Sequence, residues 1–242
     1  GFFDIVTYTG TGNTTGGSPQ WREISHNLGT APGMIIVKKT SGTGDWYVWH
    51  RGLADDSAYA AQSGFLNSTA DFGGYMGFQT NANQTATHFS LRQNSSGQTN
   101  DSGDTYVAYL FAHDAQDFGT DEDEAIIKCD TYTGNGSTTG PIIDLGFEPQ
   151  WLLIKKATGS AEAWVMHDNI RGILTGGNDP QLQADSSAVE WSGSTNIDLT
   201  GTGFNLTSSS AQYNENSQTY IYMAIRRPFK PAEEFAATDL FS

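Results

Sequence analysis

A chain of 242 residues with 37% hydrophobic and 12% aromatic content has enough apolar material for a real core, which excludes a disordered polypeptide. Its formal charge of −15 repels nucleic-acid phosphates and anionic membrane surfaces, and no stretch approaches the ~20 apolar residues of a membrane span, so neither nucleic acid nor membrane insertion is expected. The single cysteine, Cys129, excludes an internal disulfide framework, and charged residues make up only 16%, with Gly, Ser, Thr and Asn filling the polar positions as they do in strands joined by many turns.

The chain begins Gly1-Phe2-Phe3 without an initiating Met, as expected of a piece or processed form of a longer product. Residues 4–9 alternate apolar and polar, the signature of a half-buried strand, and Gly10-Thr11-Gly12-Asn13 reads as a turn. Gly29 supplies a turn that needs positive φ, and Pro32 sits at strand entry, where a missing donor does least harm. Residues 33–39 form a continuous apolar run of strand length, which predicts that both faces of that strand are covered. Ser41-Gly42-Thr43-Gly44 then turns the chain into a strand over residues 46–50, and residues 75–80, 87–92 and 105–111 add three more.

The pattern then returns. Asp4-Ile5-Val6-Thr7-Tyr8-Thr9-Gly10 is matched by Lys128-Cys129-Asp130-Thr131-Tyr132-Thr133-Gly134, and Leu28-Gly29 through Lys38-Lys39 by Leu145-Gly146 through Lys155-Lys156. Tyr47-Val48-Trp49-His50 is matched by Trp164-Val165-Met166-His167, and Thr105-Tyr106 through Leu110 by Thr219-Tyr220 through Ala224. The matches keep their order at a spacing of roughly 115–124 residues, too long for a solenoid unit. The expected architecture is therefore all-β: two tandem jelly-roll-like β-sandwich domains from an internal duplication, residues 1–120 and 121–242, with about six to eight strands each. The boundary is placed in residues 115–124, around the acidic run Asp121-Glu122-Asp123-Glu124, and residues 231–237 read as a short helix or arm.

Catalytic chemistry has poor candidates. The five histidines form neither H-x-x-x-H nor H-E-x-x-H, there is no G-x-S-x-G elbow, and Cys129 lies in an apolar strand pattern that suits a buried, inert thiol. His50 and His167 fall at matching positions after aromatic strands, which reads as hydrogen-bonded caps of strand ends. An enzyme is not expected; a glycoside hydrolase, needing two facing carboxylates, is the strongest enzymatic alternative. No cofactor is expected, although the loop carboxylates of Asp101-Ser102-Gly103-Asp104 and Asn178-Asp179 leave calcium open. Of the six tryptophans, Trp151 and Trp164 sit in core patterns. Trp21, Trp46 and Trp191 have polar neighbours and are the candidates for glycan or partner contact, the basis of an alternative reading as a lectin-like module. Several N-x-[ST] sequons, Asn67 and Asn100 among them, arise readily in a chain this rich in Asn, Ser and Thr.

The segments Tyr8-Thr9-Gly10-Thr11-Gly12, Ile24-Ser25-His26-Asn27-Leu28-Gly29-Thr30-Ala31-Pro32-Gly33-Met34-Ile35-Ile36-Val37-Lys38 and Tyr47-Val48-Trp49-His50-Arg51 resemble a domain of virion proteins of tailed bacteriophages, many from marine hosts. Tyr106-Val107-Ala108-Tyr109-Leu110-Phe111-Ala112-His113 fits the same pattern, and Tyr220-Ile221-Tyr222-Met223-Ala224-Ile225-Arg226-Arg227-Pro228 resembles a closing strand of phage tail and fibre proteins. The second copy departs at Asp144 and Glu148 and lacks a counterpart of His26. The resemblance implies a structural protein of the tail, fibre or capsid exterior, located in the virion or outside the cell. It implies homo-oligomers or other virion proteins as partners, and contact with a host-surface glycan as a further role.

Overall fold

The computed structural model describes residues 1–12, 21–53, 62–74, 77–79, 83–92, 99–113, 125–173 and 176–227. The expected boundary at residues 115–124 and the expected arm at residues 231–237 lie outside these. Within the first half the strands are β1 (Phe3–Thr9), β2 (Trp21–Ser25), β3 (Met34–Lys39), β4 (Trp46–His50), β5 (Ser63–Phe65), β6 (His88–Arg92) and β7 (Thr105–Phe111). Within the second they are β8 (Ile127–Thr133), β9 (Ile142–Asp144), β10 (Pro149–Lys156), β11 (Val165–Asp168), β12 (Leu182–Gln183), β13 (Ile197–Thr200), β14 (Gly203–Leu206) and β15 (Thr219–Arg226), with one helical turn, α1 (Ala211–Asn214), before the last. Every pairing among them is antiparallel. Of the strand expected over residues 75–80, residues 77–79 are described, and Phe78 makes a single bridge to Leu91.

Two five-stranded sheets carry the molecule, in the orders β1-β7-β3-β4-β5 and β8-β15-β10-β11-β12. Position by position these are the same arrangement. Each sheet is covered on one face by a smaller sheet, β2-β6 in the first half and β13-β14-β9 in the second. Ile24, Phe89 and Leu91 of the first small sheet pack on Ile35, Val37, Trp49, Ala108 and Leu110. Ile143, Ile197, Phe204 and Leu206 of the other pack on Leu152, Ile154, Val165, Tyr222 and Ala224. These are the two sandwich cores.

A third core lies between the halves. In a strand, successive side chains point to opposite faces. Ile35 and Val37 therefore enter the first sandwich, while Met34 and Ile36 point the other way, with Val48 and Phe72. There they meet Ile127, Cys129, Leu153, Trp164, Ile221 and Met223 of the second large sheet. The continuous apolar run over residues 33–39 is thus covered on both faces, as its sequence predicts, and the second cover is the other half of the chain. The result is a stack of four layers with two large sheets back to back in the middle.

Polar groups fasten this seam. The Trp164 indole Nε1 donates to Phe65 O at 2.8 Å and the Phe72 amide to Ala157 O at 3.1 Å. The buried ammonium of Lys155 donates to Thr69 O at 2.7 Å and also to Glu162 O. His50 accepts from the Gly52 amide at Nδ1 (3.1 Å), which leaves its Nε2–H to donate to Tyr222 O, also at 3.1 Å. Gly29 and Gly146 adopt φ of +81° and +76°, the left-handed turn expected of them.

Candidate functional site

Beside the second sandwich, residues 181–191 form an open cleft of about 450 Å³ lined by Gln181, Gln183, Ala188, Val189, Trp191 and Gln212. Gln181 and Trp191 are locked together by a pair of backbone hydrogen bonds of 2.8 and 3.1 Å, so their side chains are directly opposed across an antiparallel bridge. Ser186 Oγ accepts from the Ala188 amide at 3.0 Å and shapes the loop between them. Gly193 packs against the Trp191 ring closely enough that a Cβ there would sit 2.8 Å from Cζ2. One side of the indole is therefore braced, while 48% of the residue is exposed.

Gln212 comes to the cleft on α1, and the position of α1 follows from a tyrosine stack. Tyr132 and Tyr220 face each other across β8 and β15 with rings nearly parallel and centroids 4.9 Å apart. The Tyr220 hydroxyl donates to Ala211 O at 2.5 Å and accepts from the Glu215 amide at 2.8 Å, gripping both ends of the turn. The Tyr132 hydroxyl donates to Tyr213 O at 2.8 Å, and Ser210 Oγ accepts from the Gln212 amide at its start.

Behind Gln181 runs a buried relay. Burial pulls the His167 imidazole down to about 4, so the ring is neutral at ordinary pH. Its Nδ1 lies 3.0 Å from Pro180 O, which can only accept, so Nδ1 carries the proton. Nε2 is then an acceptor and takes the Tyr213 hydroxyl proton across 2.8 Å. That hydroxyl also meets Gln181 Oε1, but it has no second proton to offer once its own is shared with Nε2; the hydrogen-bond chain therefore assigns the Gln181 carboxamide the other way round, with its NH₂ towards Tyr213. Gln181, only 5% exposed, consequently turns its carbonyl oxygen towards the cleft it lines.

The tryptophans singled out by sequence fall on different layers and are not brought together. Trp21 is exposed at the start of β2 in the outermost sheet. Trp46 is half-buried at the edge of the seam, with its ring 6.3 Å from that of Tyr109 and the Lys38 ammonium 5.9 Å away. Trp191 lines the cleft. Trp164 is fully buried and Trp151 partly so. Cys129 is buried on β8, its thiol donating to Ala112 O at 3.7 Å.

The matching of His50 with His167 is corrected by the ladders. Ile35 pairs with Trp49, whereas its counterpart Leu152 pairs with His167. His167 therefore occupies the place of Trp49, and His50 that of Asp168, because the hairpin before β11 is one residue longer than the one before β4. A shift of one residue changes the face. His50 turns into the seam and His167 into the second sandwich. Both are hydrogen-bonded within the fold, but as fasteners of different layers.

The loop carboxylates are engaged. Asp101 and Asp104 both hold the Lys39 ammonium, Asp101 at 3.1 Å, and the lysine keeps Asp104 below its ordinary range. Asp179 Oδ2 accepts from the Asn196 and Ile197 amides at 2.6 and 2.9 Å. Among the described residues no three His, Cys, Asp or Glu side chains gather at metal-ligand spacing. No periodic signal marks Gln181, Gln183 or Gln212, which come from an isolated bridge, the two-residue strand β12 and a one-turn helix.

Residues 1–228 match the family model described as Domain of unknown function (DUF7483), across nearly the whole chain. The chain belongs to that family. The DUF7483 match runs through both halves as one unit, in keeping with their shared central core. No curated protein matches the chain. Among solved structures, the crystal structure of the STIV MCP, a viral major capsid protein, aligns over 93% of this chain and 96% of its own at 11% identity, with a TM-score of 0.27. So low a score supports no inference about fold or role. No helix among the described residues is long and apolar enough to cross a membrane.

Proposed function

We propose that this DUF7483 chain is a non-enzymatic structural module of a bacteriophage virion, internally duplicated, exposed on the tail, fibre or capsid exterior, and assembling with itself or with other virion proteins. The observation that carries the reading is where the chemically capable groups go. His50, Lys155 and His167, each with a pKa displaced by burial, are committed to backbone carbonyls or to the internal relay, and two of the three bridge the halves or brace the seam. Groups with shifted pKa are what a catalytic cleft would use. Here they fasten layers. The acidic surface suits a soluble particle component that avoids nucleic acid, and the phage-type segments on β1, β3, β4 and β7 supply the virion context.

The direct test is to locate the protein. Antibody against the purified chain should decorate the outside of intact particles in electron micrographs, and sedimentation of the chain should show a defined homo-oligomer. Particles that assemble, infect and lack the antigen would refute the reading. Release of reducing sugar from a polysaccharide panel would refute its non-enzymatic part.

A further inference from the structure

The Trp191 cleft combines features that suit one chemical class of ligand. A pyranose ring has an apolar face of C–H groups and a rim of hydroxyls that both donate and accept. The cleft supplies a braced, half-exposed indole beside three carboxamides, with Ala188 and Val189 completing the wall. Its volume of about 450 Å³ lies within the ~300–1,000 Å³ range of small-molecule sites. None of the lining side chains is charged, in a chain whose net charge is −15. At the rim Arg171 is shared by two carboxylates, Glu190 at 2.9 Å from Nη1 and Asp168 at 2.6 Å from Nε, so the rim stays on balance negative and adds no cation that would hold an anionic sugar.

We propose that this cleft binds a neutral pyranose, stacked on Trp191 and held at its hydroxyls by the carboxamides of Gln181, Gln183 and Gln212. Gln181 is the most informative of the three. It is more than nine-tenths buried, one end of its amide is held by Tyr213, and the other end has no partner among the described residues. A buried carboxamide normally finds partners at both ends, and the free end here lies at the wall of the cleft. The Tyr213–His167–Pro180 relay fixes that end as the carbonyl oxygen, a rigid acceptor for a sugar hydroxyl. The Trp191 indole N–H, likewise without a partner among the described residues, is a donor on the facing strand. Donor and acceptor are thus set in place before any ligand arrives, which lowers the ordering cost of binding. The absence of lining charge, together with the acidic field of the whole chain, disfavours sialylated or uronic-acid sugars.

The inference stands on the cleft alone and is independent of the virion reading. The full chain is applied to an array of neutral and sialylated glycans, beside Trp191→Ala and Gln183→Ala. A subset of neutral glycans should be retained, sialylated ones without a neutral terminal sugar should not, and Trp191→Ala should weaken retention by about tenfold or more. Gln183 is half-buried at the edge of the sheet, so Gln183→Ala tests the same cleft in a variant that keeps the indole, and it should weaken retention too. Saturation-transfer NMR with the methyl glycoside of a retained sugar should place ring C–H protons, rather than hydroxyl-bearing substituents, closest to protein. The proposal is overturned if no neutral glycan binds the wild-type chain, if only sialylated glycans bind, if both variants bind as wild type does, or if a virion protein segment occupies the cleft and no sugar competes with it.

Discussion

The two fully buried histidines make stability depend on pH with a definite sign. Burial holds His50 and His167 down to about 4, against 6.5 for an ordinary histidine. Between these values the unfolded chain binds protons that the folded chain refuses, so stability is complete above pH 6.5 and falls as pH drops towards 4. A displacement of this size corresponds to roughly 3 kcal/mol per histidine at its limit. Urea midpoints taken from pH 7 to pH 5, above the main carboxylate range, should fall steadily, and His50→Gln should flatten the slope. A wild-type midpoint that does not move over that interval would show that the rings are accessible to protons in the folded state. Much at this scale was readable from sequence: the positive φ of Gly29 and Gly146 and the burial of Cys129 follow from residue type and context. The equivalence of His50 and His167 was misread, because a one-residue difference in hairpin length is invisible when two short motifs are aligned without their partner strands.

At the scale of elements, one construction recurs in both halves. Tyr8 stacks on Tyr106 at 5.1 Å as Tyr132 does on Tyr220, and the Tyr8 hydroxyl donates to Thr99 O at 2.7 Å as the Tyr132 hydroxyl does to Tyr213 O. Asn100 and Asn214 then accept from the Thr11 and Asn135 amides, and Lys39 and Lys156 reach Asp101 and Glu215. Gly10 and Gly134 lie so close beneath the Asp101 and Glu215 carbonyls that neither has room for a Cβ. Each tyrosine pair ties the loop before the closing strand to the opening strand. Removing one hydroxyl leaves a buried carbonyl short of a donor, at a cost of about 1–3 kcal/mol. Tyr132→Phe and Tyr8→Phe should each lower the unfolding free energy by that amount, read as a lower denaturation midpoint at unchanged slope. Tyr132→Phe should also speed amide exchange in α1, and unaltered exchange there would mean the stack does not position the helix that carries Gln212. Asn100 is buried and spent on this loop, so its sequon is not open to a glycan in the folded chain. The strands that form the large sheets were legible because their alternation and β-branched content are strong. The covering strands β2, β9 and β13 were not, nor was the two-residue edge strand β12 of the second large sheet, all of them being short and half-polar.

At the scale of the whole molecule, the decisive feature is the seam. Apolar periodicity revealed that both faces of β3 are covered, yet it could not say by what, since a partner 100 or so residues away leaves no mark on local pattern. The stack answers this: Met34, Ile36 and Val48 are sealed against Leu153, Ile221 and Met223, each 7% exposed or less. Fully burying a side chain of this kind contributes about 1.5–3 kcal/mol. Six of them supply an amount comparable with the ~5–15 kcal/mol net stability of a typical domain. Two sandwiches coupled this strongly should unfold together. Calorimetry of the full chain should give one transition whose calorimetric and van't Hoff enthalpies agree. Residues 1–120 and 121–242 expressed separately should each expose an apolar sheet face, and should aggregate or dimerise rather than remain monomeric. Val48→Asp provides the complementary test, because it places an unpaired carboxylate between the sheets while leaving both outer sandwiches intact. If the seam is integral to the fold, this variant loses the single transition and several kcal/mol of stability. If each half instead melts on its own at its wild-type temperature, the seam is a loose contact between two self-sufficient units.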